Sequence, residues 1–179
     1  MPKPPIPPAT LRPCETRDVR AVRDIYAHHV LHGLASFEVE APSEAEMALR
    51  REAVLAGGYP YLVAERAGEV LGYAYASAYR TRPAYRYTAE NSVYIRPDCV
   101  GQGIGRLLLA ALIAECERRG LRQLVAVIGD SANHASIGLH RRAGFVEIGT
   151  IRAAGYKFGR WVDSVLMQRA LGDGDTTPP

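Results

Sequence analysis

The stretch S-V-Y-I-R-P-D-C-V-G-Q-G-I-G, Ser92 to Gly105, decides how this chain folds. Ser92 to Ile95 is β-branched and aromatic and reads as the end of a strand. Pro97 has no N–H for a ladder and closes that strand. Gly101, Gly103 and Gly105 then leave the backbone bare. From Ile104 the apolar period becomes helical, through Leu107, Leu108, Ala111 and Leu112. A strand feeding a glycine loop that opens a helix is an anion site. The free N–H groups of the first helical turn, and the positive end of the helix dipole, point at whatever fills the loop. A diphosphate suits it.

Upstream of this stretch, Leu11 to Cys14 reads as a short strand. Thr16 is positioned to cap a helix that carries Val19, Val22, Ile25, Tyr26 and Val30 on one face and stops near Gly33. His28, His29 and His32 fall at its end and read as surface histidines facing the negative dipole terminus. Leu34 to Pro42 is irregular and holds Phe37. Ser43-Glu44-Ala45-Glu46 is a capping box for a second helix, which stops at Gly57-Gly58. Tyr61 to Glu65 and Val70 to Ala78 read as a hairpin, followed by a polar loop to Arg86 and the strand Tyr87 to Ile95.

Downstream, the glycine-loop helix ends at Arg119-Gly120. Leu124 to Ile128 is a continuous apolar run, expected as a buried strand. Asn133 opens a short helix that reaches Arg142, Phe145 opens another strand, and Arg160 to Leu171 is the last, with Trp161 and Val165 on its apolar pattern. The order β-α-α-β-β-β-α-β-α-β-β describes an α/β sheet of mixed direction with helices on both faces.

The chain has 179 residues, enough for one domain with a real core. Residues 10–171 form the expected domain, between a proline-rich, disordered tail at 1–9 and a flexible tail at 172–179. A net charge of +3 is too small and dispersed to suggest nucleic acid. No apolar run is long enough to span a bilayer, and the N-terminus lacks the apolar core of a signal peptide. Cys14, Cys99 and Cys116 match neither a disulfide framework nor a zinc pattern, so a cytoplasmic protein without a metal is expected.

Two nucleotide patterns fail at the loop. A triphosphate P-loop needs Lys-Ser/Thr after its last glycine, where Arg106 and Leu107 stand. The dinucleotide fingerprint needs a glycine at Leu108. A plain strand-to-helix turn remains open on spacing alone.

The strand, the run Gly101-Gln102-Gly103-Ile104-Gly105-Arg106 and the long helix together resemble the GNAT family of N-acetyltransferases. That family's motif is Q/R-x-x-G-x-G/A; Gly103 and Gly105 match it, and Val100 replaces its first residue. Any residue but proline supplies the N–H groups on which such a loop works. Within the family, Tyr87-Thr88-Ala89-Glu90-Asn91-Ser92-Val93-Tyr94-Ile95 resembles the Y-T-V-E-x-S-V-Y-V strand of phosphinothricin and methionine sulfoximine acetyltransferases. The segment from Arg152 to Asp163 resembles their R-x-x-G-x-K-F/H-G-x-W-x-D run. The resemblance implies a mixed sheet of about seven strands flanked by about four helices. It also implies acetyl-CoA as co-substrate, an amino-acid analogue as acceptor, and a homodimer, without nucleic acid or membrane.

Acetylating an ammonium requires a base to take its proton, and a carboxylate whose pKa is raised by partial burial suits that task. Glu90 is the candidate; Thr88, Ser92 and Tyr94 share its strand face. The departing thiolate needs a proton or an activating partner. His140, four residues before Gly144, stands where the family often has a tyrosine. The resemblance assigns the donor to Gly101, Gln102, Gly103, Ile104, Gly105 and Arg106, and to the backbone of Val93, Tyr94 and Ile95, where a β-bulge is expected to splay the strand. Asn133 bonds the pantetheine arm, caps its helix, or does both. The acceptor is assigned to Phe37, Arg80, Thr81, Arg82, Asn91 and Ser92 beside Glu90, since arginine grips oxyanions through paired N–H donors. A protein acetyltransferase would want an acidic groove, which Arg80 and Arg82 oppose. A silent acetyl-CoA sensor would not need both Glu90 and His140.

Overall fold

A computed structural model describes residues 8–179. Residues 1–7, most of the expected N-terminal tail, lie outside the described residues. The elements are β1 (Thr10–Pro13), α1 (Val19–His32), α2 (Glu44–Ala56), β2 (Tyr61–Arg66), β3 (Glu69–Ala78), β4 (Thr88–Ile95), α3 (Ile104–Arg118), β5 (Gln123–Gly129), α4 (His134–Arg142), β6 (Val146–Lys157) and β7 (Arg160–Ala170). This is the order read from the sequence, and the seven strands form one sheet in the order β1-β2-β3-β4-β5-β7-β6. Neighbours are antiparallel except β4 and β5.

Two cores cover the two faces. The apolar stripe of α3 (Leu108, Leu109, Leu112) packs with Ile137 of α4, Leu124 and Ala126 of β5 and Met167 of β7. On the other face Val22, Ile25 and Val30 of α1 and Met47 of α2 cover Tyr61, Val63 and Tyr73.

The parallel pair is where the sheet opens. β4 and β5 are paired from Thr88↔Gln123 to Asn91↔Ala126 and no further. Beyond that point β5 continues against β7 as far as Gly129↔Ser164, and β4 continues against β3 as far as Ile95↔Gly72. The two strands part like the arms of a V. The expected bulge in β4 is not the cause, since its register with β3 is unbroken. Each arm simply follows its outer neighbour in a twisted sheet.

Three local readings change. Thr16 does not cap α1: a short 3-10 turn, Thr16–Asp18, precedes it, and the carboxylate of Asp18 accepts from the Glu15 N–H at 2.7 Å. β5 is not buried on both faces, because the opening of the V leaves Val127 39% exposed. Trp161 is exposed and stacks edge-on with Tyr156 at the outer end of the β6–β7 hairpin, while Val165, on the same strand pattern, is buried. At the other end of the chain, Arg122 donates to the carbonyl oxygens of Thr177 and Pro178 and so ties residues 172–179 to the domain. Among the described residues no helix is long and apolar enough to cross a membrane.

Candidate active site

The glycine loop lies at the positive end of α3. Gly103 caps that helix with φ 81°, a left-handed conformation that costs a side-chain-bearing residue energy and glycine almost none. Gly101 shares it. The first intrahelical bond is Leu107 N–H to Gly103 O, 3.1 Å, so the N–H groups of Ile104, Gly105 and Arg106 have no helical acceptor. They face a cleft of about 1100 Å³ that runs from the loop to the free edge of β4. Val93, Tyr94, Ile95, Gly101, Gly103, Ile104, Gly105, Arg106 and Asn133 line it. Gln102 does not: its amide donates to Asp98 O and its oxygen accepts from Arg66, bracing the loop from outside. Asn133 caps α4 by accepting from the Ser136 N–H at 3.2 Å, and it also borders the cleft.

The cleft holds residues that the sequence did not single out for this site, among them His29, Leu139 and Arg142. His29 is not the surface histidine expected. It is half-buried, and its Nε2 donates to the Ile95 carbonyl at 2.8 Å, tying α1 to the end of β4. Burial pushes its pKa down, and the bond to Ile95 partly restores it. The periodicity of α1 shows its buried stripe, but not that the helix end reaches another strand.

Glu90 lies one residue before the pairing of β4 and β5 ends. It is half-buried on the strand face of Ser92 and Tyr94. Burial raises its carboxyl above the ordinary glutamate value, and the charge of Arg80 pulls it back. Arg80, Thr81 and Arg82 are exposed on the loop leading into β4. The Arg80 guanidinium covers the Tyr79 ring at 4.3 Å and donates to the Tyr79 carbonyl.

Asn91, assigned to the acceptor side, turns the other way, as the neighbour of Glu90 on a pleated strand must. Its Nδ2 donates to Val125 O at 2.9 Å and its Oδ1 lies 2.9 Å from His140 Nε2. His140 is buried, with Nδ1 2.8 Å from the carbonyl of Ser136. Burial pushes its pKa down; the bond to Ser136 opposes this. A small cavity of about 50 Å³ touches His140, Asn91, Ser92, Val93 and Tyr94 where the V opens.

Phe37 fixes the segment between α1 and α2 across the open end of the V. Its ring lies against the backbones of Gly129 and Gly155, and a Cβ at Gly155 would fall 2.6 Å from it. The buried Lys157 donates to Ser36 O at 2.7 Å, burial lowering its pKa and Glu38 opposing that. Glu38 accepts from Tyr26 at 2.9 Å and Arg50 at 2.6 Å. Glu38 and Lys157 act in a seam between distant parts of the chain, which no local sequence pattern reveals. Among the described residues no group of three or more His, Cys, Asp or Glu could hold a metal ion.

Comparison with known proteins agrees with this geometry. Residues 26–145 match the acetyltransferase (GNAT) family. The chain is 57% identical over 170 residues to the phosphinothricin N-acetyltransferase of Alcaligenes faecalis, covering 95% of this chain and 86% of that one. It is 40% identical over 164 residues to the L-methionine sulfoximine/L-methionine sulfone acetyltransferase of Salmonella typhimurium, covering 92% and 95%. A crystal structure of a phosphinothricin acetyltransferase from Sinorhizobium meliloti, in complex with acetyl-CoA, superposes with a TM-score of 0.93 at 49% identity, covering 96% of this chain and 92% of that one.

Proposed function

The chain belongs to the acetyltransferase (GNAT) family, and from that premise we propose that it moves the acetyl group of acetyl-CoA to the α-amino group of phosphinothricin, L-methionine sulfoximine or L-methionine sulfone. One observation carries the reading. The cleft begins on the free N–H groups of the glycine loop and follows β4 from Ile95 to Val93, three residues along that strand from the half-buried Glu90.

The N–H groups of Gly103 to Arg106 hold the pyrophosphate, and those of β4 at Val93 to Ile95 receive the pantetheine arm and the thioester oxygen. Asn133 holds the arm from the other wall. The amine enters from the Glu90 side. Arg80 and Arg82 take the acceptor's carboxylate and its side-chain oxygens through paired donors, and Thr81 and Ser92 add hydroxyls. Phe37 closes the pocket. Glu90 takes the ammonium proton, and the free amine attacks the thioester carbon directly. His140 is the activating partner, working through Asn91. The protein works in the cytoplasm as a homodimer.

The direct test is coenzyme-A release with these amino acids, a polyamine and a peptide as acceptors. Saturable turnover with the sulfoximine, sulfone or phosphinate amino acids is expected. Turnover with the peptide alone would replace this reading with a protein acetyltransferase.

A further inference from the structure

The surroundings of His140 constrain its protonation state. Its Nδ1 faces the Ser136 carbonyl at 2.8 Å, and its Nε2 faces Asn91 Oδ1 at 2.9 Å. Both are acceptors. The orientation of Asn91 is fixed in turn, because its Nδ2 donates to the Val125 carbonyl at 2.9 Å. Turning that amide over would only move the conflict to Val125. A neutral imidazole has one N–H. With the proton on Nδ1, a bare Nε2 lone pair meets the Asn91 oxygen. With it on Nε2, a bare Nδ1 meets the Ser136 carbonyl, and the Ser136 hydroxyl, 3.5 Å away, is the weaker alternative. Only the two N–H groups of an imidazolium pair every contact.

Position favours the charge as well. His140 is in the last turn of α4, where the helix dipole is negative. Burial opposes it: the side chain is 4% exposed and its pKa is pushed below the ordinary imidazole value, so the charge rests on the two acceptors at 2.8 and 2.9 Å against that direction. The neighbouring charges are accounted for on each element packed there. Arg141 and Arg142 on α4 are exposed. Arg169 of β7 donates to the Ala143 carbonyl. β4 and β5 present Asn91 and the Val125 carbonyl, and the Phe145 ring stands edge-on at 5.0 Å. Among the described residues no carboxylate bonds to the ring.

We propose that His140 is a buried imidazolium, a positioning residue that ties α4, β4 and β5 together and sets a fixed positive charge under the mouth of the V. Asn91 points away from Glu90, so the strand carries a base on one face and this cation behind the other. When the C–S bond of the acetyl adduct breaks, sulfur keeps the electron pair and the carbonyl re-forms. The charge on His140 favours that thiolate, and its proton stays in place. Glu90 holds the first ammonium proton, and the second, lost from the attacking nitrogen as the amide forms, passes through solvent to the thiolate. This role rests on the acetyl-transfer reading. The protonation state does not.

Long-range proton–nitrogen NMR of the ring nitrogens in the intact wild-type chain tests the charge. The chain has five histidines. Single substitutions at His28, His29, His32 and His134 assign four of them and leave His140 by elimination, so no variant at position 140 has to fold. Two protonated ring nitrogens at neutral pH are expected for His140. Asn91→Asp, which supplies a carboxylate, should keep that signature to higher pH. One protonated nitrogen, in either tautomer, overturns the proposal. His140→Gln tests the role: kcat should fall about tenfold or more, with the acetyl-CoA dissociation constant moving less than about twofold. An unchanged kcat beside an imidazolium signal would remove the role and leave the charge.

Discussion

Glu90 combines two demands that pull against each other. A base must ionise to work, and partial burial raises the carboxyl above the ordinary glutamate value. The sign of the stability effect follows. A folded-state pKa above the unfolded value gives stability below about pH 4.5 that is lost as pH rises through the raised pKa. The ionised side chain therefore destabilises the fold at neutral pH, and Glu90→Gln should raise the melting temperature while it lowers turnover. In kcat/KM, the acidic limb should lie above the ordinary carboxylate range. Arg80→Ala removes the charge that holds Glu90 down and should move that limb to higher pH. A limb that stays in place, measured with saturating acetyl-CoA, would separate Arg80 from the base.

At the scale of elements, the site is made where segments meet. The glycine loop, the Ser43 cap of α2 and the β2–β3 hairpin were legible because each is written in consecutive residues, although Glu46 pairs with Arg50 and does not complete a capping box. The V was expected, but its origin was not: pairing between β4 and β5 ends because each follows a different neighbour, a property of the whole sheet. The same limit hid the bond from His29 to Ile95, the turn of Asn91 toward His140 and the seat of Phe37. That seat can be tested. Gly155→Ala puts a methyl group into the Phe37 ring, so the segment from Leu34 to Pro42 must shift or the fold must lose about 1–3 kcal/mol. Denaturant unfolding together with acceptor KM reads both outcomes. A variant with wild-type stability and wild-type KM would show that Phe37 does not hold this segment in place.

At the scale of the molecule, the sheet is covered on both faces, but its last hairpin is not. Val146, Ile148, Ile151, Tyr156, Phe158 and Trp161 are all exposed on or between β6 and β7. So large an apolar surface on an edge hairpin suits a second copy of the chain. Light scattering should give twice the 19.5 kDa chain mass, and charged residues at Ile151 and Trp161 should give a monomer. A wild-type chain that stays monomeric at micromolar concentration would remove the dimer. In the proposed reaction the splay of β4 and β5 brings a bound thioester to Glu90. Turnover of Glu90→Gln with L-methionine sulfoximine, measured beside its acetyl-CoA affinity, reads whether it does. The expected result is an unchanged affinity and a kcat lower by about 10²–10⁴, partly recovered at high pH where the amine is already free. A kcat within about twofold of wild type at neutral pH would contradict it.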